Sequence, residues 1–246
     1  MYNDNDRKIL RVSDFEGVSV IPIFIGYDTR ETVAYHVCTN SIISKASSPV
    51  SIVPLALGLL KDYKETHNDS SNQFTYTRFL VPQLMGYKGW AIFIDGDMIV
   101  RDDILNLWNL RDETKAVMVV KHNYKTKVSK KYLGSKNEDY PRKNWSSVIL
   151  WNCEHPANRT LTTQFVQTST GAELHRFTWL EDKLIGQLPI EWNWLVDEFG
   201  VNNDAKLLHY TLGTPCFTEF SDTSMSEYWH NELFLTTFCQ QINTEK

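Results

Sequence analysis

The chain of 246 residues predicts an α/β fold: a single domain built on a mixed, mostly parallel sheet with helices on its faces. Three observations point there. Short apolar, β-branched runs recur at 18–25, 50–57, 92–94 and 116–121, as strands buried on both sides do. Helical spacing of apolar residues lies between such runs, first at 31–45. Two of the runs also end in turns that carry glycine and carboxylates, the place where open α/β sheets gather ligands. No internal repeat, low-complexity tract or linker divides the chain, so 18–246 reads as one unit behind a polar arm at 1–17.

In chain order, the first strand is interrupted by Pro22 and runs into Gly26-Tyr27-Asp28-Thr29-Arg30-Glu31, a turn into a helix. Asp28 and Glu31 have capping-box spacing, which makes Asp28 a helix N-cap; the same turn could also receive a nucleobase or ribose. Val33, Ala34, Val37, Cys38 and Ser41 share one face of that helix. Pro54 places the strand at 50–57 near an edge or bend. A polar loop covers 59–71, and 74–84 reads as a helix that carries Arg78 and tolerates Pro82 near its start. Past the central strand, 103–110 is a short helix opened by acidic residues.

The segment 122–143 is basic and polar, contains Gly134 and Pro141, and has the length of a lid or substrate loop. In and beside it, Lys121, Lys125, Lys127, Lys130 and Lys131 either attract a diphosphate or form a solvated charge run. Strands are expected at 145–151 and 206–215, and a helix at 160–168. Glu181 and Asp182 open a short helix, and an amphipathic helix at 224–241 closes the chain. The aromatic stretch 188–194 is strand-like, and at least one of Trp192 and Trp194 is expected in the core, which leaves the other for a sugar face.

The densest chemistry lies in 90–100, Trp-Ala-Ile-Phe-Ile-Asp-Gly-Asp-Met-Ile-Val. Asp95 and Asp97 flank Gly96 and in extended geometry point the same way. Two hard oxygen ligands converging on one point suit Mg²⁺ or Mn²⁺ shared with a phosphorylated substrate. The bland alternative is a strand-end turn whose aspartates cap backbone amides.

Composition narrows the classes. A net charge of −5 argues against a general nucleic-acid binder. No run approaches the ~18 apolar residues of a membrane span, and the start of the chain is too polar for a signal peptide. Cys38, Cys153, Cys216 and Cys239 are widely spaced without zinc-like pairing, which fits reduced thiols and a cytoplasmic location.

The ordered set of a strand with a Gly-Tyr-Asp turn, an Arg78-bearing helix, a strand with Asp95-Gly96-Asp97 and a late His209-Tyr210 before Gly213 resembles nucleotide-sugar glycosyltransferases. These are of the GT-A type, a Rossmann-like fold, and within it the likeness is to glycosyltransferase family 8, over about 21–217. The resemblance implies metal-dependent transfer of a sugar from a UDP-sugar to a saccharide or other hydroxyl acceptor, with retention of configuration. It implies that Asp95, Asp97 and His209 ligate Mn²⁺ (or Mg²⁺). Arg78, Gly96 and Gly213 then belong with the donor, and Tyr27 and Asp28 with its base and ribose. Glu181 and Asp182 fall where the family keeps its acidic pair beside the reacting sugar. Trp145, Trp192 and Asn193 stand in the stretches expected to shape the acceptor pocket.

Three departures qualify the likeness. Gly213 comes one residue late, and Thr214 precedes Pro215 where the family writes Lys-Pro. The lysine that neutralises the leaving diphosphate is thus missing, and Arg78, Lys121 or the basic loop is left to replace it. Trp145-Ser146-Ser147 stands for Asn-Ala-Gly, and Glu181-Asp182-Lys183 for Asp-Gln-Asp.

Two rivals compete. A haloacid-dehalogenase-like phosphatase also places Asp-x-Asp after an apolar strand, but on its first strand and with a later Gly-Asp motif that this chain lacks. A catalytically inactive nucleotide- or carbohydrate-binding protein on the same fold is opposed by the intact Asp95, Asp97 and His209.

Overall fold

A computed structural model describes residues 20–131, 134 and 136–237. The expected arm, Cys239 and the end of the closing helix lie outside them. Among the described residues the strands are β1 (Ile21–Tyr27), β2 (Val50–Ala56), β3 (Trp90–Ile94), β4 (Met98–Val100), β5 (Val117–Val119), β6 (Val148–Asn152), β7 (Ile185–Gln187), β8 (Trp194–Leu195) and β9 (Leu207–His209). The central sheet runs β2-β1-β3-β6-β5-β7, and a small second sheet runs β4-β9-β8. β1 is parallel to both β2 and β3, and β5 to β7, while β6 is antiparallel to its neighbours. The α-helices are α1 (Thr32–Ile43), α2 (Val81–Leu84), α3 (Ile104–Trp108), α4 (Thr163–Thr168), α5 (Gly171–His175), α6 (Val196–Phe199) and α7 (Ser226–Thr237).

β3 explains why the sheet sits in the middle. All five of its residues are buried. Ala91 and Phe93 face a core with Phe79, Trp151 and Phe177, while Trp90, Ile92 and Ile94 face another with Ile23, Ile25 and Leu150. Burying each large apolar side chain stabilises by roughly 1.5–3 kcal/mol, so a strand with no polar face is held from both sides. β2, which carries Pro54, is an edge strand as expected.

Beyond β3 the chain turns at Gly96 and leaves the large sheet for the small one. A Cβ on Gly96 would lie 2.3 Å from the Gly26 carbonyl oxygen, so only glycine lets the ends of β1 and β3 come this close. Asp95 and Asp97 therefore flank a turn rather than continuing one extended strand. β4 then pairs antiparallel with β9, in the register that sets Met98 opposite His209. That pairing carries a histidine from far along the chain to the aspartate turn.

Other expectations need correction. Among the described residues the first strand begins at Ile21 and runs on through Tyr27, beyond the expected end; the expected residues 18 and 19 lie outside them. Glu31, not Asp28, precedes α1, and it makes no side-chain cap. The helix expected at 74–84 is a 3₁₀ turn, Thr77–Leu80, followed by the one-turn α2; Pro82 lies in its opening turn, and Gly86 follows at φ 61°. Trp145–Ser147 is a 3₁₀ turn before β6. Ile190–Asn193 is also a 3₁₀ turn, so the strand expected there is confined to Trp194–Leu195. Trp192 is 1% exposed in the core, and Trp194 is half-buried with Nε1 donating to the Gly200 carbonyl.

Candidate active site

Asp95, Asp97 and His209 meet where the two sheets join. One ligand atom from each lies within 4.8 Å of the others, and all three residues are buried. His209 Nε2 is 3.4 Å from Asp97 Oδ1 and 4.0 Å from Asp95 Oδ2. Burial raises the Asp95 carboxyl to about 6, against the pull of Arg78 and with added repulsion from Asp97. At Asp97, burial is outweighed by His209, which holds the carboxyl below the usual range.

Asn193 fixes which nitrogen of His209 faces the carboxylates. Its Nδ2 donates to Ser147 Oγ at 2.7 Å and to the Asn144 carbonyl at 3.2 Å, so the network assigns its oxygen to the other side. That oxygen lies 2.9 Å from His209 Nδ1. An amide oxygen only accepts, so Nδ1 carries a proton and Nε2 is the nitrogen that faces Asp95 and Asp97, free to offer a lone pair to a cation held with them. A cation between Nε2 and the carboxylate oxygens would be held by all three groups. Asp97 Oδ1 is moreover buried without a hydrogen-bond donor. Two carboxylates and one imidazole are a donor set that suits a divalent ion such as Mn²⁺, and the arrangement fits one.

Arg78 steadies this wall. Its Nη1 pairs with Asp95 Oδ1 at 2.7 Å and donates to the Ser146 carbonyl at 2.9 Å, while Nε donates to the Thr75 carbonyl at 3.0 Å. The Phe93 ring lies 5.0 Å from the guanidinium. Beside the wall opens a cavity of about 730 Å³, lined among others by Arg78, Asp95, Asp97, Lys131, Ser146 and His209. Its volume lies within the range of small-molecule and cofactor sites.

The remaining expected residues lie elsewhere. Tyr27 and Asp28 do not line this cavity. The Asp28 carboxylate is buried, pairs with Arg30 and accepts from the Arg30 and Gln73 backbone amides; Arg30 in turn reaches the Ser71 carbonyl. Asp28 thereby ties down a loop, 68–72, that does line the cavity. Gly213 meets the Phe220 ring, where a Cβ would come within 2.4 Å. The Trp145 indole donates to the His122 carbonyl, with Lys121 and Arg142 beside its ring. Asn193 is fully buried and holds His209 instead of facing an acceptor. Glu181 and Asp182 are 70% and 84% exposed, paired with Lys183 and Arg142, and neither lines the cavity. Sequence reading missed Tyr76, His175 and Thr211 as lining residues, none of which carries a motif.

A mixed sheet whose central strand ends in two aspartates, completed by a late histidine, defines a GT-A type glycosyltransferase. Residues 25–214 match the model of glycosyl transferase family 8, and the chain belongs to that family. Protein CDI of Arabidopsis thaliana is 43% identical over 220 residues, 86% of this chain and 85% of that protein. Among solved structures, the bifunctional glycosyltransferase WbbM superposes with a TM-score of 0.63 at 17% identity; the match covers 87% of this chain, which spans half the length of WbbM. The galactosyltransferase LgtC, solved in complex with donor and acceptor sugar analogues, gives 0.59 at 12% identity, covering 90% of this chain and 98% of LgtC. At such identities the structural likeness shows the fold.

Proposed function

We propose that this glycosyltransferase uses a nucleotide-sugar, a UDP-sugar, and transfers the sugar to a hydroxyl of a saccharide or other acceptor with retention of configuration. The observation that carries this reading is the Asn193-oriented His209, whose Nε2 faces Asp95 and Asp97 at the wall of a nucleotide-sized cavity. A divalent ion bound there, Mn²⁺ by preference and Mg²⁺ otherwise, supplies positive charge to the departing diphosphate. Arg78 keeps Asp95 in place and ionised, and Asn193 keeps the His209 proton away from the ligand side. Phosphatase chemistry through Asp95 finds no support in the ion pair that already engages its Oδ1. No described helix is long and apolar enough to cross a membrane, and the unpaired, largely buried cysteines agree with a cytoplasmic enzyme.

The test is UDP release from a panel of UDP-sugars with Mn²⁺, with and without saccharide acceptors. We expect turnover with at least one donor, loss of it with chelator, and a fall to background in Asp97→Ala. No nucleotide binding by any donor, together with an unaffected Asp97→Ala, would overturn the reading. Nucleotide binding without any turnover would favour the inactive binding protein.

A further inference from the structure

Breaking the anomeric C–O bond sends its electron pair to the diphosphate oxygen. The acceptor oxygen bonds to the anomeric carbon, and the acceptor's hydroxyl proton leaves with the diphosphate. A fixed cation near that oxygen lowers the barrier by stabilising charge as it develops. Thr214, in the turn after β9, cannot supply one: it is fully buried, with its Oγ 2.8 Å from Cys216 Sγ.

The cations that line the cavity differ in how committed they are. Arg78 is spent on Asp95 and on backbone carbonyls. Lys143 donates to Asn137 Oδ1 and to the Glu138 carbonyl, both at 2.6 Å. Lys136 is 85% exposed and leans on Glu138. Arg176, at the end of α5, also lines the cavity with its Nε buried and unpartnered, but it is not among the foremost charges acting on Asp95 or Asp97.

Lys131 is different. It is half-buried in the cavity wall, and the opposite charges acting on it most strongly are Asp97 and Asp95, in that order. Reciprocally, it is the foremost lysine or arginine acting on Asp97. Yet among the described residues it has no ion-pair partner within 4 Å. A lysine facing two carboxylates across such a gap leaves room for a metal-bound anion between them.

The backbone around Lys131 is pinned. Asn137 donates from its amide to the Ser129 carbonyl at 2.9 Å and from Nδ2 to the Val128 carbonyl at 2.8 Å. Lys130 and Lys136 form an antiparallel bridge, and the Lys127 amide donates to the buried Glu198. Anchors on both sides present Lys131 at a set place, which lowers the entropy lost when it contacts a ligand.

We propose that Lys131 contacts the donor diphosphate across the cavity from Asp97 and stabilises the leaving nucleoside diphosphate, the part Thr214 cannot take. This rests on the nucleotide-sugar reading, and the experiment separates the two. Calorimetry with Mn²⁺ measures UDP and uridine binding to the wild type, Lys131→Ala, Lys131→Arg and, as a control, Lys88→Ala, an exposed lysine outside the cavity; Mn²⁺ binding alone is measured in parallel. In Lys131→Ala we expect UDP to bind about tenfold more weakly or worse, with uridine and Mn²⁺ affinities held. Lys131→Arg should recover most of the loss, Lys88→Ala should match wild type, and kcat should fall more than KM rises in Lys131→Ala. UDP binding within twofold of wild type in Lys131→Ala overturns the inference alone. Failure of the wild type to bind UDP overturns the nucleotide-sugar reading beneath it. Equal loss of UDP and uridine would mark Lys131 as structural and also overturn the inference.

Discussion

Asn193 shows how a single residue outside the ligand set decides what the ligand set can do. By accepting from His209 Nδ1 it fixes the tautomer, and by donating to Ser147 Oγ and the Asn144 carbonyl it keeps its own oxygen turned inward. Losing such an outer hydrogen bond to a ligating histidine typically lowers metal affinity about 10–100-fold. Asn193→Ala is therefore expected to weaken Mn²⁺ binding by about that factor while leaving Asp95 and Asp97 in place. Titration of free Mn²⁺ by its electron spin resonance signal measures this directly. Affinity equal to wild type would mean that the imidazole is oriented by something other than Asn193. The sequence carried the residue but not the role. The sequence places Asn193 in a stretch expected to shape the acceptor pocket; folded as a 3₁₀ turn, that stretch turns it inward to His209. Asp28 is a similar case. Its spacing to Glu31 suggests a cap, yet its carboxylate is consumed by Arg30 and the Gln73 amide, contacts that depend on a loop 45 residues away.

Among the elements, the central strands were readable because burial on both faces leaves an unbroken apolar run, as in β3 and β6. The short 3₁₀ turns at 77–80, 145–147 and 190–193 were not, because they have no apolar period of their own and are set by what they pack against. Asp95, Asp97 and His209 were legible as residue types in order, whereas their convergence depends on the β4–β9 register and on the turn at Gly96. That turn can be tested. In Gly96→Ala the new Cβ would fall 2.3 Å from the rigid Gly26 carbonyl oxygen, so β1 and β3 would have to separate at their carboxyl ends. We expect a loss of about 1–3 kcal/mol, the usual scale of overpacking, read as a lower denaturation midpoint at unchanged slope. Gly58→Ala, where a Cβ meets nothing within 4 Å, should move the midpoint little. Equal midpoints for the two variants would show that the aspartate turn tolerates the contact.

At the scale of the whole molecule, the site is where the two sheets are joined. Asp95 ends the central strand β3, Asp97 opens into β4, and His209 ends β9 of the second sheet. Arg78 and Ser146 tie the same point to two further segments through Asp95 and a backbone carbonyl. A cation held by these ligands binds the folded chain and has no matching site in the unfolded one, so its binding free energy adds to global stability. At a free ion concentration 100 times the dissociation constant, the gain is about 2.7 kcal/mol. For a chain of this size that corresponds to a rise in Tm of about 5–10 °C. Mn²⁺ should give this shift in the wild type by scanning calorimetry, and UDP added with it should raise Tm further. Asp97→Asn keeps the shape of the side chain while removing its charge, so it should fold but lose most of the Mn²⁺ shift. Should Asp97→Asn show the full wild-type shift, the ion would be acting somewhere other than the junction of the sheets, and the link between metal binding and closure of the fold would fail.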